Sequence, residues 1–155
     1  MTPAVDLARK AGIAHEIHEY EHDPKSQSYG TEAAVKLGLD PDRVFKTLVV
    51  ETDSGELVVA IVPVSGNLSF KQMAKAAKAR KVAMAEKQKV QRTTGYVLGG
   101  VSPLGQKKRL RTVIDDSAHR FETIHVSAGR RGLEIELAPA DLASLTGASF
   151  APVRD

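Results

Sequence analysis

The spacing of hydrophobic and polar residues changes repeatedly along the chain, which predicts short helices mixed with short strands. Residues 3–11 have helical spacing, with Pro3 in the first turn and Gly12 after the end. Residues 14–20 alternate, which is typical of an edge strand with Glu16, His18 and Tyr20 on one face. Further helices are predicted over 31–37, 70–79, 86–92 and 140–145, and further strands over 44–52, 56–62, 81–85, 111–114, 121–127 and 132–137.

The connections between these segments indicate the fold class. Asp53, Ser54 and Gly55 predict a hairpin turn, whereas residues 23–30 form a polar loop that ends at Thr31, the expected N-cap of the next helix. Strands and helices do not alternate regularly, as they do in a doubly wound fold. We expect one α+β domain over residues 1–155, with a curved, barrel-like mixed sheet flanked by short helices and a short tail after residue 145.

Composition excludes several classes of protein. The chain has 155 residues, 42% of them hydrophobic and 26% charged, as in an ordinary globular domain. Aromatic residues make up only 5%, which argues against a set of base-stacking platforms. The absence of Cys excludes disulfides, thiolate metal sites and a cysteine nucleophile. Without a signal-like start or an apolar run of about 20 residues, the sequence predicts a soluble cytoplasmic protein with no membrane contact.

Positive charge is concentrated in three short segments. The net charge is only +3, but residues 75–81, 107–111 and 129–132 are locally basic. Such clusters either keep the surface solvated, which is the ordinary role of Lys and Arg, or meet the phosphates of a polyanionic partner. The three clusters together favour a polyanion modestly.

Lys46 is the most unusual residue of the predicted strands. It shares a strand face with Val44, Leu48 and Val50, and the opposite face is also largely apolar. A buried ammonium group is costly unless it is paired or opens onto a wet cavity. Either its stem packs while its head reaches water at the strand end, or it binds an anion at the wall of a pocket.

A glycine-rich segment, TGYVLGGVSPLG over residues 94–105, is the second candidate for chemistry. Glycine allows a ligand to approach the backbone closely, and free N–H groups can bind a phosphate or an oxyanion. The segment matches neither the P-loop nor the dinucleotide-binding pattern, so an irregular turn is the alternative. Ser127, at a strand end, serves either a pocket or a turn.

Metal and serine-hydrolase chemistry are not indicated. His15, His18 and His22 are spaced i, i+3, i+7, but the strand pattern puts His15 and His18 on opposite faces and His22 in a loop. No carboxylate or thiolate pattern completes a metal site, and no G-x-S-x-G elbow is present. We expect neither a metal nor a cofactor.

Four segments together resemble one family. VFKTLVV (44–50), QRTTGYVLGGVSPLGQKKRL (91–110) and HVSAGRRGLEIEL (125–137) are similar, in order and spacing, to the YbaK family of trans-editing deacylases, relatives of the editing domain inserted in bacterial prolyl-tRNA synthetases. The opening 24 residues also resemble this family. The resemblance covers nearly the whole chain and implies hydrolysis of mischarged Cys-tRNA(Pro), with tRNA as partner and prolyl-tRNA synthetase as a possible second one.

The resemblance also implies roles for individual residues. Lys46 matches the signature lysine, expected to hold a phosphate near the tRNA 3′ end, and Gly99 and Gly100 begin a G-x-x-x-P loop expected to meet the aminoacyl carbonyl. The expected pocket residues are Tyr20, Tyr29, Thr47, Ser102, Pro103, Ser127, Gly129 and Glu134. Tyr29 stands where the family pattern has Phe, and Glu134 where it has Asp, which bears on the preferred amino acid.

The implied mechanism is substrate-assisted. No protein nucleophile stands out, so the cysteine thiol of Cys-tRNA is expected to attack its own ester carbonyl, which releases the cysteine as a cyclic thiolactone. Attack by water is the alternative. A non-catalytic module that binds tRNA or the synthetase is the rival function, and a hydrolase of simple esters is a weaker third reading.

Overall fold

The computed structural model describes residues 1–26 and 29–155. Within these residues the chain forms five short α-helices: α1 (Pro3–Ala11), α2 (Tyr29–Leu37), α3 (Phe70–Ala76), α4 (Lys87–Thr94) and α5 (Pro139–Thr146). It also forms eight strands: β1 (His15–Glu19), β2 (Phe45–Thr52), β3 (Leu57–Pro63), β4 (Val82–Met84), β5 (Arg111–Asp115), β6 (Ile124–Arg130), β7 (Leu133–Leu137) and β8 (Ser149–Ala151). A 3₁₀ helix, Asp116–Arg120, follows β5.

The strands are divided between two sheets. One is antiparallel with the order β1-β7-β6, and the other is mixed with the order β4-β2-β3-β5-β8. They are joined where Val44 forms an isolated parallel bridge with His125 and the His125 N–H donates to the Arg43 carbonyl at 3.0 Å. The α+β class and the mixed sheet are confirmed, but the sheet does not close into a barrel.

The two faces of the mixed sheet explain why β3 is apolar throughout and why β2 is apolar at Phe45 and over residues 48–50. Phe45 and Val49 belong to the main core, which lies against the antiparallel sheet and α1. Val50 and Val58 belong to a second core, beneath α3. Where both faces of a strand are covered, hydrophobic residues are favoured at successive positions, which is why these stretches do not alternate.

Local signals fix the first helix. The Thr2 side chain accepts the Val5 N–H, Pro3 occupies the first turn, and Gly12 ends the helix with a left-handed φ of 70°. These bounds match the prediction because caps depend on adjacent residues. Ser69 likewise caps α3 by accepting the Gln72 N–H.

Three local predictions are wrong. Thr31 is not an N-cap, because α2 already begins at Tyr29. The C-terminal tail contains β8, which pairs in parallel with β5. The predicted strand over 121–127 is shifted to Ile124–Arg130, where pairing with β7 sets its bounds. The loop predicted over 23–30 includes residues 27 and 28, which lie outside the described residues.

No helix in the described part of the chain is long and apolar enough to cross a bilayer.

Candidate functional site: a cavity at the start of β2

A cavity of about 290 Å³ opens where the first residues of β2 meet α2, the glycine-rich loop and the β6–β7 hairpin. This volume is at the lower end of the roughly 300–1,000 Å³ that small-ligand sites occupy. The cavity brings together seven of the residues predicted from the sequence, contributed by separate elements: Tyr20, Tyr29, Lys46, Thr47, Gly99, Ser127 and Glu134.

The other four predicted residues do not line the cavity. Ser102 is fully buried and its hydroxyl accepts the Leu104 N–H at 3.2 Å. Pro103 lines a different depression, beside α5. Gly129 has a φ of 108° and packs against the side chains of Tyr96 and Thr2. The fourth residue, Gly100, belongs to the loop that forms one wall.

Gly100 holds the glycine-rich loop against β6. A Cβ atom at this position would lie 2.9 Å from the Cα of Arg130, so only glycine permits the approach. The Gly100 N–H donates to the Val97 carbonyl at 2.9 Å and is therefore already engaged. In contrast, the N–H groups of Gly99 and Val101 donate to no acceptor within the described part of the chain, and both residues line the cavity.

Lys46 lies at the cavity wall, partly buried. Its ammonium group donates to the Gly66 carbonyl at 2.9 Å, and no carboxylate of the described residues is within ion-pair distance. Burial lowers its pKa. An ammonium group held without a counter-ion at the wall of a cavity is suited to bind an anion.

Glu134 is the one acidic residue among those lining the cavity. It lies on β7 opposite His18 on one neighbouring strand and Ser127 on the other, and it is 7% exposed. Burial raises the pKa of Glu134 to about 8, so the carboxyl group is largely neutral at pH 7. Burial and then the nearby Glu134 also raise the pKa of Tyr20.

Arg131 connects three walls of the cavity, a role that the sequence did not reveal. Its guanidinium group stacks on the Tyr29 ring, 3.9 Å from the ring centre, and donates to the Tyr29 hydroxyl. It also reaches the Leu98 carbonyl at 3.3 Å and lies 3.4 Å from His22. The only signal in the sequence was the basic segment 129–132, because the contact joins positions 102 residues apart.

Thr47 presents a second unsatisfied group. Its hydroxyl oxygen is buried and has no hydrogen-bond partner among the described residues. A buried hydroxyl without a partner costs about 1–3 kcal/mol. Among the described residues, the cavity is thus lined by an ammonium group without an ion-pair partner, a largely neutral carboxyl group and two N–H groups without an acceptor.

Comparison with proteins of known sequence agrees with the family resemblance. EbsC of Enterococcus faecalis, a proposed Cys-tRNA(Pro)/Cys-tRNA(Cys) deacylase, is 40% identical over 136 residues, which cover 87% of this chain and 83% of that protein. YwhH of Bacillus subtilis is 24% identical over 132 residues, 85% of this chain and 82% of the relative.

Solved structures share the fold. The crystal structure of a hypothetical protein, 25% identical, superposes with a TM-score of 0.86 over 99% of both chains. A proposed trans-editing enzyme for prolyl-tRNA synthetase, 21% identical, gives a TM-score of 0.84 over 100% of this chain and 99% of that one. The sequence profile of the aminoacyl-tRNA editing domain matches residues 24–145, and the chain therefore belongs to the aminoacyl-tRNA editing domain family.

Proposed function

We propose that this chain is a trans-editing deacylase that removes cysteine from mischarged Cys-tRNA(Pro). The aminoacyl-tRNA editing family and the relative at 40% identity support a deacylase. The observation that carries the proposal is one cavity lined both by Lys46, whose ammonium group has no counter-ion among the described residues, and by a loop whose Gly99 and Val101 N–H groups have no acceptor there. An aminoacylated tRNA end supplies both an anion and an ester carbonyl for these groups.

The size and charge of the cavity suit the aminoacyl group of the substrate. About 290 Å³ accommodates a small amino acid ester and leaves the terminal nucleotide at the mouth. Lys46 would bind a phosphate of this nucleotide, and Arg130 and Arg131, which also line the cavity, add positive charge. Glu134 is placed to accept the α-ammonium group, and this positive charge would draw the carboxyl group into its ionised form.

The chemistry we propose uses the thiol of the substrate. The cysteine sulfur attacks the ester carbonyl carbon and forms a C–S bond, while the C–O bond to the tRNA 3′ oxygen breaks. The thiol proton ends on that oxygen, so a cyclic thiolactone and free tRNA leave the site. No protein nucleophile is required, and the task of the cavity is to fold the cysteine back onto its own ester.

Orientation and oxyanion stabilisation supply the rate enhancement. Holding the reacting atoms in contact contributes about 7–11 kcal/mol in favourable cases. A backbone donor aimed at the developing oxyanion contributes about 3–4 kcal/mol, and the Gly99 and Val101 N–H groups are available for this role.

The extent of the domain and its setting are part of the proposal. The profile covers residues 24–145, but α1 packs in the main core and Val153 in the second core, which supports one editing domain over 1–155. Prolyl-tRNA synthetase, the source of the mischarged tRNA, is the proposed partner, and the cytoplasm, where tRNA is charged, is the proposed location.

The test is multiple-turnover deacylation with substoichiometric protein. Cys-tRNA(Pro), Ser-tRNA(Pro) and Ala-tRNA(Pro) are compared by following the ester bond, and the product of the cysteine reaction is trapped to distinguish thiolactone from free cysteine. We expect rapid loss of the cysteine ester alone. Equal rates for the serine ester would favour attack by water, and tRNA binding without turnover would indicate a non-catalytic module.

A further inference from the structure

Two histidines and a glutamate converge on the face of the antiparallel sheet opposite the one that packs in the main core. His18 on β1, His125 on β6 and Glu136 on β7 have ligand atoms within 4.8 Å of one another. The Nε2 atom of His18 lies 2.9 Å from Oε1 of Glu136, and the Nε2 atom of His125 lies 4.0 Å from the same oxygen. Three adjacent strands therefore present two imidazoles around one carboxylate oxygen.

His125 is a buried polar residue whose ring makes no hydrogen bond within the described chain. It is 1% exposed, and neither ring nitrogen has a hydrogen-bond partner among the described residues. A buried polar group without a partner is costly, and an imidazole with two unpaired nitrogens is rare.

Glu136 is already oriented as a ligand. Its Oε2 accepts the Thr123 hydroxyl at 2.5 Å and lies 3.5 Å from the Arg43 guanidinium, which itself donates to the Thr123 hydroxyl. These contacts leave Oε1 facing the two histidines. Outer-shell contacts of this kind fix the ligating oxygen of a metal-bound carboxylate.

The spacing fits a tetrahedral ion. With bonds of about 2.0–2.2 Å, two ligand atoms around Zn²⁺ are about 3.3 Å apart, and the distances of 2.9 and 4.0 Å lie on either side of this value. His18 is partly exposed and can adjust its rotamer. Glu16, exposed on the same face of β1 and 3.9 Å from the His18 ring, is within reach of the fourth position.

We propose that His18, His125 and Glu136 form a binding site for a divalent transition-metal ion of the Zn²⁺ type. The site is separate from the editing cavity but coupled to it by the strands. Each ligand lies two residues from a cavity residue on the same strand face, as His18 does from Tyr20, His125 from Ser127 and Glu136 from Glu134. Such a separation is about 7 Å along a strand, so a bound ion would fix the relative positions of three cavity walls.

The affinity should be moderate. A metal-bound histidine usually donates its second nitrogen to an acceptor, and His125 has none among the described residues. The lack of such a contact typically costs about 10- to 100-fold in affinity. Binding of the ion is independent of the proposed deacylation and is measured without tRNA.

The experiment is a calorimetric titration of tag-free, chelator-treated protein with ZnCl₂ at pH 7.5. We expect one zinc ion per chain and an increase in Tm on binding. Replacing His18 by Ala, a change at a partly exposed position, should weaken binding by at least about tenfold. His15→Ala is the matched control, since His15 lies on the same strand with its ring hydrogen-bonded to the Ile13 carbonyl.

Cobalt provides a second readout that does not depend on affinity alone. The visible spectrum of bound Co²⁺ reports its coordination number, and a four-coordinate spectrum that is lost in both His18→Ala and Glu136→Gln would support the site. The proposal is overturned if zinc does not bind in a 1:1 ratio, or if His18→Ala and His15→Ala bind it equally well. Circular dichroism establishes that each variant is folded.

Discussion

Replacing Lys46 by Met removes the charge from the cavity while keeping most of the side-chain stem. The stem lies in a largely apolar strand, and among the described residues the head makes one hydrogen bond, to the Gly66 carbonyl. Since burial lowers the pKa of Lys46, the folded state holds the charged group at a cost. Loss of the hydrogen bond is therefore offset by release from this cost, and the free energy of unfolding should change by no more than about 1 kcal/mol.

The effect on catalysis should be much larger. A charged group that pairs with a desolvated partner costs about 2–5 kcal/mol when it is truncated, and the lower part of this range applies because Lys46 is only partly buried. A loss of about 2–3 kcal/mol corresponds to a decrease of about 30- to 150-fold in kcat/KM.

The assay compares kcat/KM on Cys-tRNA(Pro) with urea unfolding for the same preparations. Lys71→Met, at an exposed position on α3, is the matched control for loss of one positive charge and should leave kcat/KM within about twofold. The reasoning is refuted if activity falls only in proportion to stability, or if Lys71→Met lowers kcat/KM as much as Lys46→Met does.

Two further predictions concern the other walls of the cavity. Gly99→Ala and Gly55→Ala start from the same φ of 88°, so both should lose stability through backbone strain, by about 1–3 kcal/mol. Only at Gly99 does the new Cβ meet neighbours, 2.6 Å from the side chains of Arg131 and Tyr29, so deacylation should fall in that variant alone; equal activity in the two variants would contradict the assigned role of the loop. Glu134 has a pKa raised by burial from 4.5 to about 8, so its contribution to stability decreases as pH rises through this interval, by up to about 5 kcal/mol in total. In urea unfolding, the free energy of unfolding of Glu134→Gln minus that of the parent protein should therefore increase between pH 5 and pH 9. The same difference for Glu122→Gln, a control at an exposed position, should not change with pH. A constant difference for Glu134→Gln would mean that the carboxyl group is not desolvated.

Local sequence signals determined much of the secondary structure. The Thr2–Pro3 start and the Gly12 end of α1 are encoded by adjacent residues, and so is the turn between β2 and β3. Lys46 could be predicted as a candidate from the sequence because a charge within an apolar strand conflicts with burial, and the structure places it at the cavity wall. The order of motifs was enough to indicate the family.

Tertiary structure decided which side chains lie together and which polar groups already have hydrogen-bond partners. Ser102 and Pro103 belong to the recognised loop yet face away from the cavity, and the Gly100 N–H is used within the loop itself. β8 and the division into two sheets depend on pairing between strands that are distant in the sequence. Contacts of this kind are set by the packing of the whole chain, which overrides local propensity.

The grouping of His18, His125 and Glu136 likewise could not be predicted from the sequence. The sequence offered only the spacing of His15, His18 and His22, and those three rings do not converge, since His15 bonds to the Ile13 carbonyl and His22 to Glu32. His18 instead meets groups more than 100 residues away, because β7 pairs with β1 on one side and β6 on the other. The sequence alone was thus enough to indicate the family, the helix caps and the unusual position of Lys46. Strand pairing determined which side chains share a site, because the register between distant strands cannot be read from local sequence.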